Sequence, residues 1–147
     1  MVSLMISFSF RKQILASFLI LLLGLLLTAC QTESPITAAK SFLKALDQKN
    51  YNQAVDLLVI NRDNSLQPLT PEEKQAWVER TQIQLGEVSQ FNIQDFIPLS
   101  ESQLQTLNVA EGYEIFFFIK SKRAGKQNFK TYILKTNGSW KLIPPQL

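Results

Sequence analysis

The chain has 147 residues and a formal net charge of +3, and it contains one cysteine and no histidine. A single cysteine excludes an internal disulfide, and the lack of histidine removes the commonest metal ligand and the base of a serine triad. All acidic residues precede residue 115, whereas residues 115–147 carry seven lysines or arginines. This basic segment is either an ordinary solvated hairpin or a surface that orients the domain near an anionic layer.

The N-terminal segment has the order of a targeting sequence. Arg11 and Lys12 precede an almost wholly apolar run over residues 14–29. That run is shorter than the roughly 20 residues that cross a bilayer comfortably, which favours a cleaved signal peptide. It ends in Leu27-Thr28-Ala29-Cys30, which resembles the lipobox of bacterial lipoproteins. The alternative is an uncleaved membrane helix with a chance cysteine.

The lipobox resemblance implies cleavage before Cys30 and a diacylglycerol thioether on its sulfur. Two acyl chains suffice for stable anchoring to a membrane. We therefore expect residues 1–29 to be a signal peptide, residues 30–34 a lipidated cysteine with a short tether, and residues 35–147 one domain. The expected location is the cell envelope, outside the cytoplasm. Gln31 resembles the pattern that sends lipoproteins to the outer membrane in cells with two membranes.

The first half of the domain is predicted to be helical. Ser34-Pro35 supplies an N-cap and a proline at the first helical position, and apolar residues at helical spacing follow. A shorter helix is expected over residues 51–59 and a polar loop over residues 61–69. A third helix begins at Thr70-Pro71-Glu72-Glu73, where the first and last residues form a capping box. Its predicted apolar face consists of Ala76, Trp77 and Ile83, and it stops near Gly86.

The second half is predicted to form strands. Residues 88–97 form a strand closed by Pro98, and residues 99–111 are either a short helix or an irregular strand. Residues 113–120 are the most apolar strand, with aromatic side chains on both faces, and are therefore expected to be central. Return strands follow over residues 129–135 and 139–143, joined by the hairpin dipeptide Asn137-Gly138. The predicted fold class is α+β, with two to three N-terminal helices packed on an antiparallel sheet of about four strands.

Four short motifs in this order give the domain a family resemblance. They are Phe42-Leu43-Lys44-Ala45-Leu46, Tyr51-Asn52-Gln53-Ala54, Leu85-Gly86-Glu87-Val88 and Asn137-Gly138-Ser139-Trp140-Lys141-Leu142. Residues 34–143 thereby resemble the nuclear-transport-factor-2-like superfamily. The resemblance implies a curved sheet wrapped around helices, a cone-shaped cavity and a tendency to form dimers.

The resemblance also limits the enzymatic chemistry that the chain can carry out. Enzymes of that superfamily use a pocket Asp, His or Tyr, and the absence of histidine excludes a dehydratase-type His/Asp pair. An isomerase-type site needs a buried carboxylate beside a tyrosine donor. Asp95 is the acid whose strand alternation points it inward, with Tyr113 or Tyr132 nearby. The alternative is that Asp95 is solvated at a strand end.

Aromatic residues of the domain either line a cavity or partner surface or form ordinary core. The candidate pocket or interface comprises Trp77, Asp95, Tyr113, Phe116, Phe118, Tyr132 and Trp140. No phosphate loop, calcium loop or zinc ligand set is present in the sequence, so we expect neither a metal nor a cofactor. After export the available polyanions are lipid headgroups and wall polymers, so nucleic acid is not an expected partner.

These observations favour a non-enzymatic, lipid-anchored module of the cell envelope. Its membrane partner is held through the lipid on Cys30. Its cone would bind a small apolar ligand, or its sheet face would bind another envelope protein. Two alternatives stay open: an isomerase- or hydrolase-type enzyme that uses Asp95, and a structural protein that forms a homodimer through an open sheet face.

Overall fold

Residues 33–146 are described by a computed structural model, and this range contains four helices and six strands. The helices are α1 (Pro35–Asp47), α2 (Tyr51–Asp56), α3 (Pro71–Leu85) and α4 (Glu101–Leu107). The strands are β1 (Val59–Arg62), β2 (Ser65–Pro68), β3 (Val88–Pro98), β4 (Gly112–Ser121), β5 (Gly125–Thr136) and β6 (Ser139–Leu142). The predicted α+β class is confirmed. Cys30 and the predicted signal peptide lie outside the described residues.

The main sheet has the strand order β3-β4-β5-β6, and every neighbouring pair in it is antiparallel. The most apolar strand of the sequence, β4, is central as predicted. The turn between β5 and β6 is Asn137-Gly138, and both residues have positive φ, 51° and 78°. Positive φ at both central residues is the geometry of the favoured two-residue hairpin turn. The twist of that turn matches the right-handed twist of the flanking strands.

Helix α1 forms the core of the domain together with the sheet. Its first turn is capped as the sequence predicts, because the Ser34 hydroxyl accepts a hydrogen bond of 3.1 Å from the Thr37 backbone N–H. Its apolar stripe contacts β3, β5 and β6. The buried residues of this stripe are Ala38, Ala39, Phe42, Leu43, Ala45 and Leu46. The space between α1 and the sheet is therefore occupied by close-packed side chains.

Helix α3 begins with the predicted capping box. The Thr70 hydroxyl accepts from the Glu73 N–H at 3.3 Å, and the Glu73 carboxylate accepts from the Thr70 N–H at 2.8 Å. Trp77 lies against Phe42 of α1, with ring centroids 6.1 Å apart. The rest of the predicted apolar face is wrong, because Ile83 is exposed. Besides Trp77, the helix buries Thr81 and Leu85.

The segment after α2 differs from the sequence prediction. Helix α2 ends at Asp56, and the expected polar loop is instead the β1–β2 hairpin. Asp63 and Asn64 have positive φ, 50° and 59°, which is the backbone of a tight two-residue turn. The short, polar strands of this hairpin lack the apolar alternation that identifies a strand from sequence.

The ambiguous segment between β3 and β4 is helix α4. Ser100 caps it, and the side chain of Gln103 accepts from the Ser100 N–H at 2.9 Å. Asn108 ends the helix in the left-handed conformation, at φ 53° and ψ 48°. Asparagine tolerates this conformation better than most residues do, so the helix stops without a glycine.

Alternation along β4 divides the sheet into two faces. Ile115, Phe117 and Ile119 are buried in the core, and we call their side the inner face. Phe116 and Phe118 point to the opposite side, the outer face, and are partly buried. On the inner face Phe117 stacks on Phe129 of β5, with ring centroids 5.5 Å apart.

The two faces predict unequal costs for adjacent substitutions. Phe117→Ala should lower the free energy of unfolding by about 3–5 kcal/mol, because its ring is fully enclosed. Phe118→Ala should lower it by about 1–2 kcal/mol, because part of this ring already contacts water. Urea denaturation followed by tryptophan fluorescence measures both. Equal losses for the two variants would contradict the division into faces.

The capping box also predicts a pH dependence. Hydrogen bonds from the Arg62 guanidinium and then from the Thr70 N–H lower the pKa of the Glu73 carboxyl below its usual 4.5. A carboxyl with a lowered folded-state pKa stabilises the fold above its unfolded pKa, and this contribution is lost as the pH falls. Glu73→Gln should therefore flatten the decrease in unfolding free energy from about pH 5 to about pH 3.

The matched control for this measurement is Glu72→Gln. Glu72 shares the first turn of α3 and its helix dipole, whereas Arg62 bonds Glu73. Urea denaturation at a series of pH values compares the two variants. If the slope of unfolding free energy against pH changed equally in Glu72→Gln and Glu73→Gln, the helix dipole, and not the Arg62–Glu73 ion pair, would set the pH dependence.

Candidate functional site: the outer face of the sheet

The outer face carries aromatic and basic side chains on the paired strands β4 and β5. Cross-strand register places Lys130 opposite Phe116 and Asn128 opposite Phe118. Residues directly opposite each other in an antiparallel pair project to the same side of the sheet. On β4 and β5 the part of the outer face from Glu114 to the β4–β5 turn therefore carries Glu114, Phe116, Phe118, Lys120, Lys126, Asn128, Lys130 and Tyr132.

Lysine side chains cover the two outer phenylalanines. The Lys126 ammonium lies 4.3 Å from the ring centroid of Phe118, and the Lys130 ammonium lies 5.7 Å from that of Phe116. Both distances fall in the range of cation–π attraction. The aliphatic stems of the lysines shield the rings while the charges remain in water. The result is a surface whose apolar and cationic groups are interleaved.

The charges on this face are distributed unevenly along the strands. Toward the start of β4, Lys130 is neutralised by Glu114, with 2.6 Å between Nζ and the carboxylate. Lys130 donates a hydrogen bond to the Glu114 carboxylate, and this bond raises the pKa of Lys130. Toward the β4–β5 turn, Lys120 stands directly opposite Lys126. Neither of these two lysines forms an ion pair within residues 33–146.

The Lys120–Lys126 pair follows from the turn that joins the strands. Residues 122–124 form a three-residue loop between Ser121 and Gly125, and Gly125 has φ +71°. The Ser121 hydroxyl accepts from the Ala124 N–H at 3.1 Å, which fixes the loop. Like charges directly opposite each other destabilise an antiparallel pair. The sheet thus holds two cations in an unfavourable arrangement on its outer face.

Asp95 does not point inward, and this part of the sequence prediction is wrong. Strand β3 has register irregularities between Val88 and Gln90 and between Ile93 and Asp95. The second irregularity inserts a residue, so Asp95 pairs with Phe116 and is exposed. Its carboxylate accepts from the Phe96 N–H at 2.7 Å. The buried carboxylate that an isomerase-type site at this position requires is absent, because the bulge reverses the alternation.

The remaining predicted aromatics lie on the core side. Tyr113 contacts both Phe96 and Trp140, with ring centroids 5.4 and 5.7 Å apart. Trp140 is buried, and the Lys135 ammonium lies 5.5 Å from its ring centroid. Trp77 belongs to the α1–α3 contact. The seven predicted residues therefore divide between two regions: Trp77, Tyr113 and Trp140 lie in the core, and Asp95, Phe116, Phe118 and Tyr132 lie on the outer face.

A groove beside the start of α1 was missed by the sequence analysis. It has a volume of about 460 Å³ and lies between Ile36 and Lys40 of α1 and residues 91–96 of β3. Ile36 is 47 % exposed, although it belongs to the predicted apolar stripe. The apolar pattern of the sequence does not distinguish Ile36, which is exposed at the start of α1, from the later apolar residues of α1, which are buried against the sheet. The groove places the beginning of the domain at the β3 edge.

Helix α4 covers the opposite end of the outer face. A shallow groove of about 210 Å³ lies between the helix and Tyr132. Gly112 lets this end close, because a side chain there would meet Leu134 at 2.7 Å and Leu99 at 2.9 Å. The outer face is therefore open at its basic end, next to Lys120 and Lys126, and partly covered by α4 at the other end, next to Glu114 and Tyr132.

Within residues 33–146 there is no group of three His, Cys, Asp or Glu side chains placed to hold a metal ion. No helix in the same range is long and apolar enough to cross a membrane. Comparison with protein-family models finds no match, and comparison with curated proteins finds no matching relative.

The opposed lysines predict a stabilising substitution. Lys120→Gln should raise the free energy of unfolding by about 0.2–1 kcal/mol at low salt, because it removes a like-charge cross-strand pair. The gain should largely disappear at about 1 M salt, where surface charges are screened. The control is Lys44→Gln on the exposed side of α1, for which no gain is expected. A loss of stability in Lys120→Gln would contradict the cost assigned to the pair.

Proposed function

We propose that the protein is a lipid-anchored, non-enzymatic accessory module of the cell envelope that binds through its outer sheet face. The observation that carries the proposal is the ordered N-terminal sequence. Arg11 and Lys12, an apolar run and Leu27-Thr28-Ala29-Cys30 stand in the order that export and lipidation require. Cys30 is the one thiol of the chain, so the lipid has one attachment point.

The outer face supports the binding part of this proposal. Phe116 and Phe118 are partly buried on an open sheet surface, with lysines above their rings. Aromatic and cationic residues with long stems are common in recognition surfaces, because they combine apolar contact with polar ends. The inner face is filled by the core of the domain, so we assign recognition to the outer face.

The fold assignment within this proposal is nuclear-transport-factor-2-like. Its support is the order of elements, with helices α1 to α3 preceding an antiparallel meander that ends in the Asn137-Gly138 hairpin. The close packing between α1 and the inner face argues against a wide ligand cone at the centre of the domain. This favours binding at the outer face over binding of a small ligand in the interior.

A homodimer is the second candidate for the use of the outer face. The observation that favours it is the same pair of partly exposed aromatic rings on long, regular strands. Its difficulty is the Lys120–Lys126 pair, because a two-fold interface would bring four lysines together. A homodimer is distinguished from a complex with another partner because the fraction of dimer rises with the concentration of this protein alone.

The anchor is tested by the intact mass of the protein isolated from a bacterial membrane fraction. The expected mass is that of residues 30–147 plus diacylglycerol on Cys30, with or without a further acyl chain. Cys30→Ser should keep the full precursor mass, because cleavage in lipoproteins follows modification of the cysteine. An unmodified, full-length wild-type chain in the soluble fraction would contradict the proposal.

A further inference from the structure

The basic end of the outer face has a composition that suits a lipid surface. Its cations are Lys120 and Lys126, and its apolar groups are the rings of Phe118 and Phe116. Lysines near a bilayer are attracted by anionic headgroups, while their stems and aromatic rings occupy the interfacial layer. Two acids near this region form ion pairs, Glu114 with Lys130 and Glu87 with Lys122, whereas Asp95 opposite Phe116 forms none within residues 33–146.

An anion between the ammonium groups of Lys120 and Lys126 would offset the repulsion between these two charges. The structure places them opposite each other without an acid of residues 33–146 to compensate either one. A phosphate-bearing headgroup would supply the missing negative charge from outside the molecule. The repulsion would then be relieved in the bound state only, which favours binding.

The position where the domain begins is compatible with this orientation. Helix α1 starts at the β3 edge, where Ile36 and Lys40 lie beside residues 91–96. On the outer side of that strand, Asn92 is opposite Phe118 and Asp95 is opposite Phe116. In the hydrogen-bonding direction of the sheet, Lys120 on β4 is one strand from β3, about 5 Å, and Lys126 on β5 is two strands from it, about 10 Å.

The reach of the tether limits how far the domain can stand from its anchor. The four residues between Cys30 and the first residue of α1, residues 31–34, extend at most about 15 Å. A domain held so close must present one of its surfaces to the headgroups. The outer face carries the acids Asp95 and Glu114 away from the β4–β5 turn, whereas its end at that turn carries Lys120 and Lys126 without an ion pair, so this end is complementary to an anionic bilayer.

We propose that the outer sheet face docks on the anionic membrane that holds the lipid anchor, with Lys120 and Lys126 on a headgroup phosphate and Phe118 in the interfacial layer. The inference rests on the proposed anchoring through Cys30. Docking fixes the orientation of the domain, so that helices α1 to α3 face away from the bilayer. The surfaces of these helices are then the ones presented to the surroundings.

The test uses the processed, lipidated protein in vesicles of phosphatidylcholine alone or with about one-third phosphatidylglycerol. Intact mass confirms the lipid before reconstitution. A membrane-impermeant amine reagent then labels lysines, and mass spectrometry gives the rate at each site. On anionic vesicles, labelling of Lys120 and Lys126 should slow by about fivefold or more, the effect of one basic residue at an anionic surface. Labelling of Lys44 on α1 is the internal control and should not change.

Removal of one lysine tests the role of the pair. In Lys120→Gln, Lys126 remains as the reporter, and its protection on anionic vesicles should fall by about fivefold. Lys44→Gln is the matched control and should leave the protection of Lys126 intact. Salt at about 0.5 M should abolish the protection in the wild type, because it screens charges at the membrane surface.

Each other outcome overturns the inference in a distinguishable way. A chain without lipid mass rejects the anchor, and docking with it. A lipidated chain whose Lys126 reacts freely on anionic vesicles rejects docking alone. Equal protection on neutral vesicles rejects the charge mechanism. Protection that appears only in native membranes indicates a partner protein, and protection that rises with protein density indicates a second copy.

Discussion

The two-residue repeat of a β-strand is the constraint on which the rest of this structure depends. From Ile115 to Ile119 every side chain of β4 is apolar, yet successive residues must point to opposite faces. The inner set packs into the core with α1, and the outer set is left on the far side of the sheet. Lysines of β5 cover the outer rings, so the basic character of the return strand follows from the composition of its neighbour.

On the inner side of the sheet, side-chain contacts connect the helices. Phe42 links α1 to Trp77 of α3, and the Tyr51 hydroxyl donates to the Gly86 carbonyl at 3.0 Å. Burial of this hydroxyl raises the pKa of Tyr51, so it keeps its proton and remains a donor. These contacts connect the helices to one another, and the shared core connects them to the inner side of the sheet.

Elements with local chemical signals could be predicted from the sequence. The Ser34 cap, the Thr70 capping box and the Asn137-Gly138 turn each depend on residues within a few positions of one another, and all three are present. The β1–β2 hairpin was missed because its strands carry few apolar residues. Asp95 was misplaced because one inserted residue reverses every later side chain, and no local pattern reveals such a bulge.

The pairing of Lys120 with Lys126 required the exact register of β4 and β5, which depends on where the three-residue loop begins. The presence of a turn near Gly125 does not by itself determine which residues of β4 and β5 pair, since the pairing could shift by one residue. A shift of one residue would place different side chains opposite each other. The sequence therefore predicted Phe116, Phe118 and Tyr132 of the candidate site but did not separate them from the core aromatics Trp77, Tyr113 and Trp140, and the charge arrangement emerged only from the paired strands.

The two irregularities of β3 have a consequence for molecules crowded together. This strand of eleven residues is an edge of the sheet, and a straight edge offers an unpaired row of N–H and C=O groups to any neighbour. Interruptions near Ser89 and Gln94, followed by Pro98, break that row into pieces too short for a continuous ladder. Many copies can therefore lie side by side at high concentration without their edge strands joining into a continuous sheet.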